Sequence, residues 1–299
     1  MLKVAISISL LVYLVRKVDL SGVHNRVAEV SVWHIVTAGL ILMMQAVGGA
    51  LRWSLVIETI SARVRLRAAL HIMFIGLFFN QTLPSSIGGD AMRIWHIRHH
   101  GFPLRTAINS VLLDRLIALA ALAVFMLISF PVLYQLVGDA VVRGGVLAVS
   151  VALIGGFMVL YFFRLLPKWF HRWRIVEEVR HLSREAHTVA KAPRSAGRIL
   201  LLSMVMHAMT GTAIYEIARG LGVGIGLVEC VVLVPPISLL TILPISVAGW
   251  GVREAAMISG LAYVGIDAND ALVTSIIFGL LLMMISVPGG VFWFLKHKK

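Results

Sequence analysis

Two short segments carry residues whose types and spacing could do chemistry within an otherwise apolar chain. The first reads Pro84-Ser85-Ser86-Ile87-Gly88-Gly89-Asp90 and is followed by Arg93. The second reads Pro244-Ile245-Ser246-Val247-Ala248-Gly249-Trp250-Gly251 and is followed by Arg253-Glu254. Laid over each other without a gap, they share the pattern P-x-S-x-[GA]-G-x-x-x-R at a displacement of 160 residues. Proline removes a backbone donor and paired glycines relax the chain, so both segments should interrupt a helix. Unpaired amides at a half-helix N-terminus attract anions, phosphate above all. Arg93 and Arg253 would add fixed positive charge about one turn along each outgoing helix. The chemistry offered is a cradle for a phosphate-bearing lipid head group. Its candidate contacts are Asn80, Ser86, Gly88, Gly89, Asp90 and Arg93 around the first loop and Ser246, Gly249, Arg253 and Glu254 around the second. Asp90 reads either as a helix N-cap or as a binder of a cation, a proton or an amino group. Trp250 holds its place in the second loop, so the site would be asymmetric.

Asp114-Arg115 sits early in the apolar run from Thr106 to Leu133. Ionisable residues at membrane depth are costly, which makes a coupling role and a structural ion pair the two readings of this couple. Glu216 and Glu229 flank the outer end of a span and read as solvated interface, with the lining of an exit as the other reading. His96, His99 and His100 lie in a basic loop and read as surface or head-group contacts rather than a metal site, and no Cys/His spacing resembles a zinc site. His71 and His207 read as core residues, and Cys230 has no partner for an internal disulfide. Gly220, Gly222, Gly224 and Gly226 lack the preceding strand and following acid of a dinucleotide fingerprint and read as a turn. No catalytic constellation, metal or cofactor is expected. Without a nucleotide-binding loop, ATP is not the expected direct energy source; Asp90 and Glu254 are the candidate carriers of a coupled proton or ion.

The elements that must hold these residues are membrane spans. Of 299 residues, 59% are apolar and 14% charged, against about 25% charged in an ordinary soluble domain. A spanning helix needs about 20 apolar residues. Spans are expected at Val4 to Val15 (uncleaved), Ser31 to Leu51, Thr106 to Leu133, Val146 to Phe163, Ile199 to Ala218 and Ala271 to Leu295. The runs Ala68 to Leu83 and Leu227 to Val247 end in the two loops, and each is expected to re-enter as a hairpin. The fold class is an all-α polytopic membrane protein: about six spanning helices plus two re-entrant broken-helix hairpins related by an inverted repeat. Residues 1–299 form one membrane domain, with repeat 1 at about 1–135, repeat 2 at about 145–295, and a basic amphipathic cytoplasmic segment at 164–198. Inverted repeats place substrate sites at their interface, near the bilayer midplane.

The net charge of +13 would suggest nucleic acid in a soluble protein. Here it follows the positive-inside rule. With both hairpins returning to their side of entry, Lys3, the segments 52–67, 93–105 and 164–198 and the C-terminal lysines face the cytoplasm together. Arg16, Lys17, Arg26, Arg143 and Arg219 remain outside. Both termini are then cytoplasmic, and no nucleic-acid partner is expected.

At these same residues the chain resembles the lysylphosphatidylglycerol synthase transmembrane region, the flippase-like integral membrane family. The likeness rests on Phe78-Phe79-Asn80, Leu83-Pro84, Gly88-Gly89-Asp90 with Arg93, Leu113-Asp114-Arg115, Leu243-Pro244 and Gly249-Trp250-Gly251-Val252-Arg253-Glu254, and it runs over nearly the whole chain. The family usually has Pro-Gly where this chain has Pro84-Ser85. The bifunctional members carry a cytoplasmic aminoacyl transferase domain, which this chain, ending at Lys299, is read as lacking. The resemblance implies movement of a polar or glycosylated lipid between leaflets of a bacterial cytoplasmic membrane. The expected partners are anionic or phosphate-bearing membrane lipids, with a second copy or a lipid-synthesis enzyme left open. A membrane-embedded enzyme or accessory subunit for head-group modification is the alternative function.

Overall fold

In lipid, a run of Leu, Val, Ile and Ala leaves the backbone no hydrogen-bond partner but itself, and helix is the result. The computed structural model describes residues 30–83, 87–165, 174–242 and 246–296. The expected span at Val4 to Val15, the loop residues Pro84, Ser85, Ser86, Leu243, Pro244 and Ile245, and the aromatic residues Trp169, Phe170 and Trp173 lie outside the described residues. Among the described residues there are no strands. The helices are α1 (Val32–Ile60), α2 (Leu66–Thr82), α3 (Gly88–His99), α4 (Leu104–Leu136), α5 (Ala140–Phe162), α6 (Arg174–Lys191), α7 (Pro193–Gly220), α8 (Leu227–Ile242), α9 (Val252–Leu261) and α10 (Ala268–Lys296). Five of them, α1, α4, α5, α7 and α10, are long and apolar enough to cross a membrane. The chain is an all-helical, multi-pass membrane protein.

Three boundaries differ from the sequence reading. Helix α1 does not stop at Leu51 but runs through Arg52 to Ile60, so Arg52 belongs to a buried helix rather than a basic loop. Helix α7 starts at Pro193, where proline at the first helical position lacks only a donor that would be orphaned anyway. Among the described residues of this segment, the amphipathic surface helix is α6, with Leu182, Ala186 and Val189 turned inward. Pro235 and Pro236 lie inside α8, which continues to Ile242.

Helices α2 and α8, 17 and 16 residues long, are each followed by a loop and a short helix that folds back. Along α3, the Gly89 amide donates to Asn80 Oδ1 of α2 at 2.9 Å, and the Arg93 stem lies on Gly76. A Cβ at Gly89 would collide with the Gly76 carbonyl oxygen, so glycine is what lets the two helices approach. Helix α9 returns along α8, placing Gly260 against Ile237. Its entry turn uses Ala248, Gly249 and Gly251 at φ 49°, 82° and 86°, left-handed values that favour glycine.

The longest contact is between α1 and α7, which run antiparallel over their whole lengths. Ser31 N bonds Gly220 O at 3.0 Å, His34 Nδ1 meets Glu216 Oε2 at 2.7 Å, and Gln45 Nε2 donates to Thr210 Oγ1 at 2.7 Å. Displaced by 160 residues, the bounds of α1 and α2 fall within one residue of those of α7 and α8, and the bounds of α3 and α4 within four residues of those of α9 and α10. Packing follows the same pairing: α2 lies on α10 as α8 lies on α4, α3 on α4 as α9 on α10, and α1 on α2 as α7 on α8. Basic residues gather at one end of this bundle, where Arg105 joins Glu178 of α6 at 2.6 Å and Arg63, Arg65 and Arg198 border one cleft.

Candidate functional site

Helix α3 carries Arg93 inward, toward α1 and α4. One guanidinium nitrogen of Arg93 reaches Asp114 Oδ2 at 2.9 Å, and the other carboxylate oxygen of Asp114 takes Arg52 Nε at 2.8 Å. Arg52 also donates to Ser203 Oγ of α7 at 3.4 Å. The Arg93 guanidinium stacks 4.7 Å from the Trp53 ring centroid, which supplies a cation–π contact in a desolvated place. Nearer the surface, Asp90 accepts from Arg93 Nη1 at 3.4 Å and from Arg115 Nη2 at 3.0 Å. Three arginines against two aspartates leave one net positive charge. Arg93 and Asp114 are 4% and 2% exposed at their side chains, whereas Arg115 is 50% exposed.

Depth follows from the helix rise of about 1.5 Å per residue. Arg52 lies eight residues from the end of α1 and Asp114 ten from the start of α4, which sets the cluster about 12–15 Å inside the basic end. Such charges persist in an apolar bundle because each is held by an opposite charge; a lone one would cost several kcal/mol, roughly 3–5 when a single partner is removed.

A cavity of about 250 Å³ opens beside the cluster. Gln45, Arg52, Asn80, Gln81, Arg93, Asp114 and Arg115 are its polar lining, and Leu42, Ala46, Met73 and Leu77 of α1 and α2 with Met206, Leu282 and Ile285 of α7 and α10 are its apolar lining. It lies between α1, α2, α4, α7 and α10. Arg93 Nε is buried and has no hydrogen-bond partner; the Arg93 residue lines the cavity as a fixed cation. Arg guanidinium groups suit phosphate because their planar donors can bind two oxygens together.

The second loop is arranged differently. Arg253 bonds Glu254 Oε1 at 2.6 Å and Ser275 Oγ of α10 at 3.3 Å, and its guanidinium lies 4.6 Å from the Trp250 ring centroid. The other Glu254 oxygen accepts from the Gly251 amide, capping α9 in the manner of a capping-box acid. Both Glu254 oxygens are thus engaged. Ser246 is buried.

The structure therefore gathers Asn80, Gly89, Asp90, Arg93, Asp114 and Arg115 around one place, with Gly88 packed on Leu83. It sets Ser246, Gly249, Arg253 and Glu254 apart, and Arg253 and Glu254 line neither this cavity nor the larger apolar one beside α9. Arg52, Trp53, Gln45 and Ser203 are additions that sequence reasoning missed. Their signal was the apolar pattern resuming after Arg52, at Trp53 and Leu55-Val56-Ile57, which marks the arginine as interior to a helix rather than past its end. Glu216, read as solvated interface, instead bonds His34 across α1 and α7. His71 stacks on Phe292 with ring centroids 4.8 Å apart, and His207 Nε2 meets the Ala118 carbonyl at 3.2 Å. His99 and His100 each place Nδ1 on the carbonyl four residues back, at 2.8 Å.

Fold and site together define a multi-pass helical membrane protein with a buried arginine–aspartate cluster facing an internal cavity. Its family model confirms the class: the chain belongs to the family described as the lysylphosphatidylglycerol synthase TM region, matched over residues 1–289. That family is one of membrane proteins linked to lipid modification or translocation. No curated protein matches the chain.

Proposed function

We propose that the protein is a lipid translocator whose cavity takes a phosphate-bearing head group on its way between leaflets. The observation that carries this reading is the buried cluster of one net positive charge lining a cavity that apolar side chains also line. A head group and the first carbons of its chains present that same pair of surfaces. Arg93 and Arg52 set the field, Asn80 and Gln81 offer amide contacts, and the half-exposed Asp90–Arg115 pair opens to exchange its partner for phosphate. Arg253 and Glu254 anchor the second loop instead of touching substrate.

The two hairpins are re-entrant in this reading, because α2 and α8 are shorter than the roughly 20 residues a span requires. The halves form an inverted repeat, supported by the antiparallel run of α1 and α7 and the shared helix bounds. The basic end faces the cytoplasm of a bacterial cell by the positive-inside rule.

Transfer is measured in proteoliposomes with a fluorescent phosphatidylglycerol quenched from outside. Arg93→Lys and Arg115→Ala should each slow transfer at least about tenfold, equivalent to losing one charge-assisted hydrogen bond, while Arg143→Ala at the opposite end leaves it unchanged. Wild-type transfer in both site variants would sink the assignment, and absent transfer by the wild-type protein would sink the function.

A further inference from the structure

The 160-residue pairing of the halves exposes a difference in how they are filled. Around the first loop, Phe79 of α2, Trp95 and His96 of α3 and Trp293 of α10 pack as one aromatic cluster. The Trp293 ring centroid lies 5.1 Å from Phe79, 5.8 Å from Trp95 and 5.6 Å from His96. Displaced by 160 residues, their counterparts around the second loop are Leu239, Ala255, Ala256 and Leu133. All four line a cavity of about 570 Å³ between α4, α5, α8 and α9. Where one loop has three large rings and an imidazole, the other has two alanines and two leucines, and the missing volume contributes to the cavity. His99 likewise corresponds to Ser259, which also lines it.

A void of this size with no occupant would forfeit dispersion contacts on every wall. Its size is that of a small-molecule site, about 300–1,000 Å³. Apart from Ser259 and Tyr263 its lining is apolar, so it offers nothing to hold water. One wall is lightly held: Ser150 is the only buried residue of α5, and a Cβ at Gly144 or Gly145 would meet nothing within 4 Å. The medium around these spans is hydrocarbon.

We propose that this cavity is a binding slot for one hydrocarbon chain of a bilayer lipid, entered past α5. Contacts come from Val146 and Val149 of α5, Leu240 of α8 and the Ala255-Ala256 step of α9. Recognition is by shape and by dispersion contact with the apolar lining, and is indifferent to the head group. It stands on the cavity alone and does not require the head-group reading of the Arg93 site.

The test uses purified protein in nanodiscs holding a phospholipid with a diazirine near the end of one acyl chain. After illumination, adducts are mapped by peptide mass spectrometry. Adducts should concentrate on 142–149, 236–240 and 252–260, with phosphatidylglycerol and phosphatidylcholine probes alike. Ala255→Trp, which introduces the residue type found at the matching place in the first half, should reduce them to the level at exposed Met284 and Val287 of α10. Ala255→Leu, a smaller filling, should reduce them partly, and both variants should keep their adducts at Met284 and Val287, which reports a folded protein. Wild-type labelling at the cavity no higher than at Met284, or labelling unchanged in a folded Ala255→Trp, would overturn the proposal. So would labelling by only one of the two head-group classes.

Discussion

Asp114 is the residue on which the buried cluster depends, and Asp114→Asn is the perturbation that exposes it. Each carboxylate oxygen holds its own guanidinium, Arg52 at 2.8 Å and Arg93 at 2.9 Å. Replacing one oxygen by an amide nitrogen aims a donor at a cation and raises the local charge from plus one to plus two. Two pairs at an effective dielectric constant near 20 are worth about 4 kcal/mol each in Coulomb energy. The desolvation that Asp114 no longer suffers returns part of this. Removing one member of a buried pair costs about 3–5 kcal/mol, and Asp114→Asn should fall in that range. If charge is the cause, adding Arg52→Met to the Asp114→Asn variant restores the net value of plus one and should recover at least about 2 kcal/mol of coupling in a double-mutant cycle. Arg52→Met alone should cost less than Asp114→Asn, because Arg93 still pairs with the aspartate. The assay is reversible unfolding in mixed dodecyl maltoside and dodecyl sulfate micelles, followed by tryptophan fluorescence; Trp53 lies against Arg93. A cost below about 1 kcal/mol for Asp114→Asn, or strict additivity with Arg52→Met, would refute the argument that opposite charge holds these arginines in place.

Gly89→Ala should destabilise the protein by about 1–3 kcal/mol in the same unfolding assay, since its Cβ would strike the Gly76 backbone carbonyl, which cannot swing aside as a side chain would. Glu185 on the surface helix α6 has its pKa raised above the ordinary value of 4.5 by burial, against which the Asn109 side chain and the charge of Arg105 act. A carboxyl with a raised folded-state pKa binds protons more readily folded than unfolded, so docking of α6 should strengthen as pH falls through that raised value and level off below 4.5. Glu185→Gln should raise the melting temperature at neutral pH, remove this dependence, and leave stability unchanged at pH below 4.5, as measured by thermal unfolding across pH.

The fold was legible where a single physical rule dominates. Lipid solvent forces helices, so apolar runs located α1, α4, α5, α7 and α10, and the Pro/Gly loops located the interruptions after α2 and α8. The shared loop pattern ending at Arg93 and Arg253 pointed to two equivalent positions on the chain. It could not show that the two arginines are neutralised differently, because counter-charges come from other positions: Asp114 of α4 for Arg93, and the adjacent Glu254 for Arg253. Arg52 was read as loop because a charge after an apolar run resembles a helix end. The counter-charge that stabilises it there, Asp114, lies 62 residues away. The cavity beside α9 had no signal in its own residues, since alanine and leucine are ordinary in a span; it becomes visible only when its counterparts Trp95 and Trp293 are seen in contact.

The pairing of the halves also explains why Glu254 stands where it does. The counterparts of Arg52, Asp90, Asp114 and Arg115 are Thr212, Trp250, Thr274 and Ser275, so of the five charged positions only the arginine of the loop pattern recurs. An arginine buried at 5% exposure opposite Thr274 would have no counter-charge. Glu254 supplies it from the neighbouring position, where the first half has Ile94, and spends its other oxygen on the Gly251 amide. The second arginine is thereby closed into a neutral, self-contained unit with Ser275 and Trp250. The first remains part of a network with surplus positive charge and an unspent donor. Polar side chains thus gather at the cavity beside the first loop, whereas the cavity beside α9 is lined almost wholly by apolar ones.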